Sequence, residues 1–230
     1  MFGLLCGITT IPVGCLISGL LICCPLPALL LDIVPLTLFS AFIAFSLYRF
    51  PRAAVLVFKS FGRIVSAVIY AGLALGTFEA MTGITLIERL NPIGDGISVV
   101  ASAVFILSGA LPMLFLLQKV LKKPLTLLGK RFGINAVSAL SLIGTLATST
   151  TTFAVFSDMN RKGRVLNSAF SVSAAFVLAD HIAFTMAFRK EYLPALVVGK
   201  IISGLSAMLV SGLLYDRSYG KKGLEEEPAV

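Results

Sequence analysis

The sequence predicts an all-α, polytopic integral membrane protein with six to seven transmembrane or re-entrant helices. Of its 230 residues, 57% are hydrophobic and only 13% are charged, whereas a soluble domain carries about 25% charged residues. Apolar runs of about 20 residues recur along the chain, and each is long enough to cross a hydrocarbon core about 30 Å thick. Lipid, rather than water, is therefore the expected solvent.

Seven apolar segments follow one another with short polar connections. Because every backbone N–H and C=O in hydrocarbon needs a partner within its own segment, we predict helices; the alternating pattern of a porin strand is absent. The segments are Phe2–Ile22, Leu26–Tyr48, Gly62–Thr82, Ile97–Val120, Ile134–Phe156, Val165–Phe188 and Leu193–Leu214. We assign residues 1–215 to a helical membrane domain and predict a polar, disordered tail over residues 216–230.

The formal net charge of +8 comes from short cationic clusters between the apolar runs. No stacking aromatic residues are interspersed in these clusters, so the pattern indicates loops facing anionic lipid and excludes nucleic acid as a partner. The stretch Arg49–Arg63 alternates cations with apolar residues, which predicts a short basic helix lying in the membrane interface.

The fifth segment, Ile134–Phe156, has two interpretations. If all seven segments cross the membrane, 11 cations lie on one side and 7 on the other; if this segment enters and leaves on one face, the numbers become 15 and 3. The positive-inside rule favours the second arrangement. Five consecutive hydroxyl residues, Thr148–Thr152, also favour a broken helix that lines a cavity, although an ordinary span with hydroxyls bonded to its own carbonyls stays open.

Asp180 and His181 lie deep in the sixth segment, and His181 is the only histidine of the chain. Ionisable residues inside a span are functional candidates because burying them is costly. The turn after Phe188 places Asp180 at about the same depth as Lys200 in the next segment. Asp180 is therefore either a structural ion-pair partner of Lys200 or a carboxylate that faces a substrate.

Motifs for catalysis are absent from the sequence. It has no GxSxG elbow, no phosphate-binding glycine-rich loop and no His/Cys group at metal-ligand spacing. The four cysteines all lie in the first apolar segment or directly after it, and they lack the spacing of a metal site or a disulfide framework. We predict a protein that is not an enzyme and that has no cofactor or metal.

Several motifs in a fixed order resemble one known family. They are Gly7–Cys15 (GITTIPVGC), Gly109–Met113 (GALPM), Asp158–Phe176 (DMNRKGRVLNSAFSVSAAF), the pair Asp180-His181, and Val198–Gly204 (VGKIISG). This set resembles the bacterial ethanolamine-utilisation transporter family, EutH. The resemblance implies that the chain corresponds to a little over the C-terminal half of a family member.

The resemblance also implies a function. It indicates a multi-pass permease of the bacterial cytoplasmic (inner) membrane that moves ethanolamine or a similar small amine without chemistry on it. The implied substrate-binding residues are Asp180 and His181 with the hydroxyls of Thr148, Ser149, Thr150 and Thr151. The alternative is a truncated subunit with no transport activity of its own, which needs the missing N-terminal half, a second chain or a homo-oligomer.

Overall fold

The computed structural model describes residues 1–87 and 91–219, and the regular elements of this part of the chain are all helical. In chain order they are α1 (Phe2–Leu21), α2 (Leu26–Arg49), α3 (Pro51–Thr82), α4 (Ile93–Phe132), α5 (Ala136–Ala147), α6 (Ser149–Ala154), α7 (Arg161–Ala174), α8 (Asp180–Arg189) and α9 (Leu193–Tyr219), with short 3₁₀ turns at Phe156–Asp158 and Lys190–Tyr192. The predicted all-α fold is confirmed.

Five helical stretches are long and apolar enough to cross a membrane, as expected for a multi-pass membrane protein. They are Phe2–Leu21, Leu26–Arg49, Pro51–Thr82, Ile93–Leu127 and Asp180–Ser218, the last of which runs through α8 and α9. The predicted fifth segment is interrupted, and its longest helix is the shorter apolar Ala136–Ala147. The single helix predicted over Val165–Phe188 is wrong, because residues 175–179 separate α7 from α8.

Two predicted boundaries also differ from the structure. The basic stretch Arg49–Arg63 does not form a separate helix, because α3 is continuous from Pro51 to Thr82. At 32 residues α3 is about 48 Å long, so its basic first third extends past a hydrocarbon core of about 30 Å. Helix α9 continues to Tyr219, four residues into the predicted polar tail; the rest of that tail, residues 220–230, lies outside the described residues.

Helices α1, α7 and α9 pack closely through small residues. A Cβ atom added at Gly7 of α1 would lie 2.7 Å from the Ala169 carbonyl oxygen of α7, and one added at Gly14 would lie 2.7 Å from the Gly199 carbonyl oxygen of α9. The Ser203 hydroxyl of α9 donates to the Thr10 carbonyl oxygen of α1 at 2.8 Å. Small residues let helix backbones approach each other where lipid supplies no hydrophobic driving force between helices.

The contacts between these helices also fix their directions. The start of α1 meets the start of α7, since a Cβ at Gly3 would lie 2.2 Å from the Val165 carbonyl oxygen. The end of α9 meets the same place, where the Lys162 ammonium contacts the Asp216 carboxylate at 2.7 Å. Helix α9 is therefore antiparallel to both α1 and α7.

One end of the molecule is strongly basic. The end of α4, the starts of α5 and α7 and the end of α9 lie there together, and we call this region the basic end. Its cations in the described part of the chain are Lys130, Arg131, Arg161, Lys162, Arg164 and Arg217. The turn between α8 and α9 lies at the opposite end and carries Arg189 and Lys190.

Candidate functional site

The chain between α4 and α7 turns back to its starting point. The Asn135 side-chain amide donates to the Asp158 carbonyl oxygen at 2.8 Å, and the Asn160 side-chain amide donates to the Gly133 carbonyl oxygen at 2.9 Å. A crossing helix would separate these ends by the full hydrocarbon thickness, about 30 Å. Residues 134–158 therefore form a helical hairpin with both ends at the basic end, which is the geometry that the re-entrant interpretation requires.

The hairpin reverses direction at the hydroxyl run. Thr148 is extended, with φ −158° and ψ 138°, and it separates α5 from α6. Its hydroxyl accepts a hydrogen bond from the Thr150 N–H at 3.3 Å, and the Thr151 hydroxyl donates to the Thr148 carbonyl oxygen at 2.8 Å. Threonine hydroxyls replace helical hydrogen bonds here, as their competition for the backbone predicts. The predicted break in this segment is confirmed.

A second break lies between α7 and α8. Residues 175–179 are not helical, and Phe176 has a left-handed backbone with φ +63°. A bulky residue adopts this conformation only where its surroundings impose it. The Phe176 carbonyl oxygen accepts from the His181 N–H at 3.1 Å. The Asp180 carboxylate lies in the first turn of α8, where the helix dipole favours negative charge, and an acidic residue at this position is typical of a helix start.

The two breaks touch each other through the backbone. The Phe176 N–H donates to the Thr145 carbonyl oxygen at 3.2 Å, and the Leu178 N–H donates to the Leu146 carbonyl oxygen at 2.9 Å. The last turn of α5 has carbonyls without a helical partner, and the turn residues after α7 supply two of the missing donors. This pairing stabilises non-helical backbone at membrane depth, where each unpaired polar group is costly. We call the paired region the crossing point.

Asp180 and His181 lie directly after the crossing point. Asp180 is exposed and His181 is partly buried. The His181 Nδ1 atom is shielded from solvent and has no hydrogen-bond partner in the described part of the chain, and its ring meets the Phe176 ring edge-on with the centroids 6.2 Å apart. Since most buried polar atoms in proteins are hydrogen-bonded, this nitrogen is available as a hydrogen-bonding group beside the break.

The alternative ion pair between Asp180 and Lys200 is not formed. Among the described residues, no ion pair within 4.0 Å joins the two side chains. Lys200 is partly buried in α9 and lies within electrostatic range of His181 and Cys15. A continuous sixth helix would place Asp180 and Lys200 at equal depth. The turn at residues 175–179, with Phe176 in a left-handed conformation, interrupts that helix.

The predicted hydroxyl residues divide into two groups. Thr148 and Ser149 are partly buried, and Thr150 and Thr151 are exposed. The structure places these four residues on one break and the Asp180–His181 pair beside the other, and no described hydrogen bond joins the two sets of side chains. Sequence reasoning missed Gln118 of α4, whose amide lies by the same turn: a Cβ added at Gly144 would lie 2.8 Å from the Thr151 hydroxyl and 3.3 Å from the Gln118 amide nitrogen.

A buried polar cluster lies beneath the turn of the hairpin, and sequence reasoning missed most of it. Thr152 is fully buried, accepts from the Ser141 hydroxyl at 3.1 Å and contacts the Thr145 hydroxyl. The Asn167 amide of α7 donates to the carbonyl oxygens of Ser138 and Gly163, both at 3.0 Å. The Asn167 Oδ1 atom has no partner in the described part of the chain. This cluster joins the hairpin to α7.

A metal ion has no obvious place in the described part of the chain. No group of three or more His, Cys, Asp or Glu residues is arranged there to hold one. All four cysteines are free thiols.

Comparisons with known proteins give one consistent result. Residues 1–214 match the family described as "Ethanolamine utilisation protein, EutH". The chain is 38% identical over 228 residues to the "Probable ethanolamine permease EutH" of Listeria monocytogenes, covering 99% of the chain and 61% of the relative. It is 37% identical to the "Uncharacterized protein YxeR" of Bacillus subtilis, covering 89% of the chain and 55% of the relative.

A third relative extends this result to another genus. The chain is 32% identical to the "Probable ethanolamine permease EutH" of Salmonella typhimurium, covering 92% of the chain and 58% of the relative. The chain thus spans between 55% and 61% of the length of these relatives. No solved structure matches the chain.

Proposed function

Because the chain belongs to the EutH family of ethanolamine utilisation proteins, we propose that it carries ethanolamine or a similar small amine across the bacterial cytoplasmic membrane. Relatives named as probable ethanolamine permeases are 32–38% identical to it over most of its length. The family relation therefore indicates a permease-type membrane protein rather than an enzyme.

The crossing point is the observation that supports a transport site best. Transporter sites lie where discontinuous helices meet, since their breaks leave backbone dipoles and carbonyls directed at a ligand. Here two breaks meet through the hydrogen bonds of Phe176 and Leu178 with the end of α5. An ionisable pair and a hydroxyl run follow these breaks directly, so charge and hydrogen-bonding groups are both available.

The chemistry of the substrate fits these groups. Protonated ethanolamine is a small cation with one hydroxyl, so its site needs a carboxylate and a hydrogen-bonding partner. Asp180 carries no described ion pair and is the proposed counter-ion. The unpartnered His181 Nδ1 and the hydroxyls of Thr148, Ser149, Thr150 and Thr151 are the proposed partners of the substrate hydroxyl and ammonium.

We further propose an orientation in which the basic end faces the cytoplasm. The positive-inside rule assigns cation-rich ends to that side, and the basic end carries six cations, whereas the turn between α8 and α9 carries Arg189 and Lys190. The hairpin 134–158 then enters from the cytoplasm and returns to it, while α7 and α8 together cross the membrane. The turn of the hairpin reaches the crossing point from the cytoplasmic side.

A second candidate is a subunit that does not transport alone. The chain spans 55–61% of the length of its relatives, and we propose that it corresponds to their C-terminal portion. Asp180 is exposed in the chain by itself, although a carboxylate facing hydrocarbon is costly. Protein that corresponds to the N-terminal portion of the relatives, or a second copy of the chain, would then cover the carboxylate and complete the site.

Uptake of radiolabelled ethanolamine tests the first proposal. The wild-type chain, the variant Asp180→Asn and the variant Asp32→Asn are each expressed in bacteria that lack their own ethanolamine permease. Asp32 serves as the control, because its carboxylate is exposed in α2. We expect uptake above the vector control, a loss of about 10-fold or more in Asp180→Asn, since hydrogen bonds to charged groups contribute about 1.5–3 kcal/mol, and little change in Asp32→Asn. Equal loss in both variants, at equal membrane levels, would contradict the role of Asp180.

The same assay separates the two candidates. If the chain alone shows no uptake above the vector control, autonomous transport is rejected. Recovery of uptake on co-expression with the N-terminal portion of the Listeria relative would then establish the partial subunit. If neither arrangement transports ethanolamine while both reach the membrane intact, the amine-permease proposal is wrong for this chain.

A further inference from the structure

A cavity of 550 Å³ lies between α4, α5, α7 and α9. Apolar side chains such as Leu142, Leu166, Phe170 and Met208 line most of it, and the two charged residues in its wall, Lys162 and Asp216, lie at the basic end. The wall holds none of the residues proposed for amine binding. A small polar amine has no counter-ion along this apolar surface, so the cavity suits a different ligand.

The dimensions of the cavity favour a thin, flexible occupant. Its lining residues on α9 run from Leu205 to Asp216, which corresponds to about 16 Å of helix. This length is close to half of a hydrocarbon core of about 30 Å, the depth that one acyl chain reaches. Spread over that length, 550 Å³ gives a mean width of about 6–7 Å, whereas a helix with its side chains is about 10–12 Å across.

The charges at the mouth favour an anionic headgroup. The Lys162 ammonium contacts both oxygens of Asp216, at 2.7 and 2.8 Å, so these two charges balance each other. The exposed residues Lys130 and Arg131 lie in the last turn of α4, between the cavity-lining residues Gly129 and Phe132. The balance at the mouth is therefore positive, and basic pockets between helices on such a face suit anionic lipid headgroups.

We propose that this cavity binds one acyl chain of an anionic phospholipid, with the phosphate group beside Lys130 and Arg131 at the basic end. The chain lies along α9, and the headgroup lies at the level of the Lys162–Asp216 pair. The bound lipid fills the space that four helices leave open and joins α4 and α5 to α9. This site shares none of the residues proposed for amine binding, so it does not depend on the proposed transport activity.

Gly212 offers a direct way to fill the cavity. It lines the cavity wall, and a Cβ atom added there meets only Leu166 Cδ1, at 4.0 Å. The variant Gly212→Phe therefore places a ring in the cavity without a collision at its Cβ atom. Gly72→Phe on α3 is the matched control, because a Cβ atom at Gly72 meets nothing within 4 Å.

Native mass spectrometry of the purified chain in detergent measures the bound lipid. With phosphatidylglycerol added, we expect one tightly retained lipid in the wild type and in Gly72→Phe, and at least a 10-fold loss of that species in Gly212→Phe. Phosphatidylcholine should be retained at least 10-fold less, and Lys130→Gln should reduce this preference. If Gly212→Phe does not fold, Leu209→Trp, which enlarges an exposed lining residue, replaces it.

Three results would overturn the proposal. Equal retention of phosphatidylglycerol by the wild type and the cavity-filling variant would place the lipid elsewhere. Equal retention of phosphatidylglycerol and phosphatidylcholine would show that the site does not prefer an anionic headgroup. A photo-crosslinking amino acid at Leu209 that captures a polypeptide in native membranes, rather than a lipid, would show that protein occupies the cavity.

Discussion

Helices α3 and α7 differ sharply in what they bury. Helix α3 has 32 residues, and only Ala54 and Gly76 among them are buried. Helix α7 has 14 residues, and nine of them are buried. Yet α3 meets the apolar criterion for a membrane span, whereas α7 is rich in serine and also contains asparagine and three cations.

In this protein, the hydrophobicity of a helix therefore does not predict whether its residues are buried inside the protein. Lipid solvates leucine and phenylalanine as well as a protein core does, so the large apolar residues of α2, α3 and α4 remain outside. Small and hydroxyl residues instead allow close backbone approach and buried hydrogen bonds in α1, α5, α7 and α9. The functional candidates all lie in or beside this second group of helices.

The largest expected effect is steric. Gly14→Leu places a Cβ atom 2.7 Å from both the Gly199 carbonyl oxygen and the Ser203 Cβ atom, whereas Gly72→Leu meets nothing within 4 Å. We expect Gly14→Leu to destabilise the protein by about 3 kcal/mol or more, because backbone blocks any relaxation, and Gly72→Leu to change it by less than about 0.5 kcal/mol. Thermal unfolding in detergent measures the stability of both variants. Equal melting temperatures would contradict the conclusion that small residues allow the close packing of α1 and α9.

The next effect concerns the buried hydroxyls. Thr152→Val keeps the side-chain shape but leaves the Ser141 hydroxyl without its acceptor, and we expect a loss of about 2 kcal/mol from the unpaired buried group. Thr150→Val, at an exposed position of the same turn, should cost less than about 0.5 kcal/mol. If the two variants unfold at the same denaturant concentration, the cluster does not stabilise the hairpin.

A smaller effect is expected at the base of the hairpin. The Asn160 Oδ1 atom caps α7 by accepting from the Gly163 N–H at 3.0 Å, and its amide binds the Gly133 carbonyl oxygen. Asn160→Ala should cost about 1–2 kcal/mol and should increase hydrogen exchange over residues 134–158. Ser157→Ala, at a neighbouring exposed position, serves as the control. Unchanged hydrogen exchange in Asn160→Ala would contradict the conclusion that Asn160 holds the two ends of the hairpin together.

The smallest effect is expected at the mouth of the cavity. The Lys162–Asp216 pair is partly exposed, so Asp216→Asn should change the free energy of unfolding by no more than about 1 kcal/mol. The effect should shrink further in 1 M salt, where charges are screened beyond about 3 Å. A loss of several kcal/mol that persists in salt would show that the pair is structural.

Some of this architecture was accessible from the sequence, for identifiable reasons. The long apolar runs predicted the spans, and the hydroxyls of Thr148–Thr152 predicted the first break, because threonine competes for backbone bonds. The second break was missed since residues 175–179 contain neither proline nor glycine. Tertiary pairing with Thr145 and Leu146 of α5 holds it open, and such long-range contacts leave no local signature.

The break between α7 and α8 also explains why the predicted surroundings of Asp180 differ from those in the structure. Sequence reasoning found Asp180 and His181 because ionisable groups stand out in an apolar segment. It misjudged their neighbours, since a continuous helix would have placed Lys200 beside Asp180. Gln118 and Asn167 carry no comparable signal, because amides occur in any polar stretch. Only the folded hairpin brings Gln118 to the turn and Asn167 to the start of α5.

Side-specific labelling tests the central claim, a hairpin that leaves and rejoins one face and meets a second break. In a chain without its four native cysteines, single cysteines replace the exposed residues Phe132, Ser157 and Glu191. In intact cells, a membrane-impermeant maleimide should label only position 191, and positions 132 and 157 should react only after permeabilisation. Labelling of position 157 but not of position 132 in intact cells would show that residues 134–158 cross the membrane and would contradict the account.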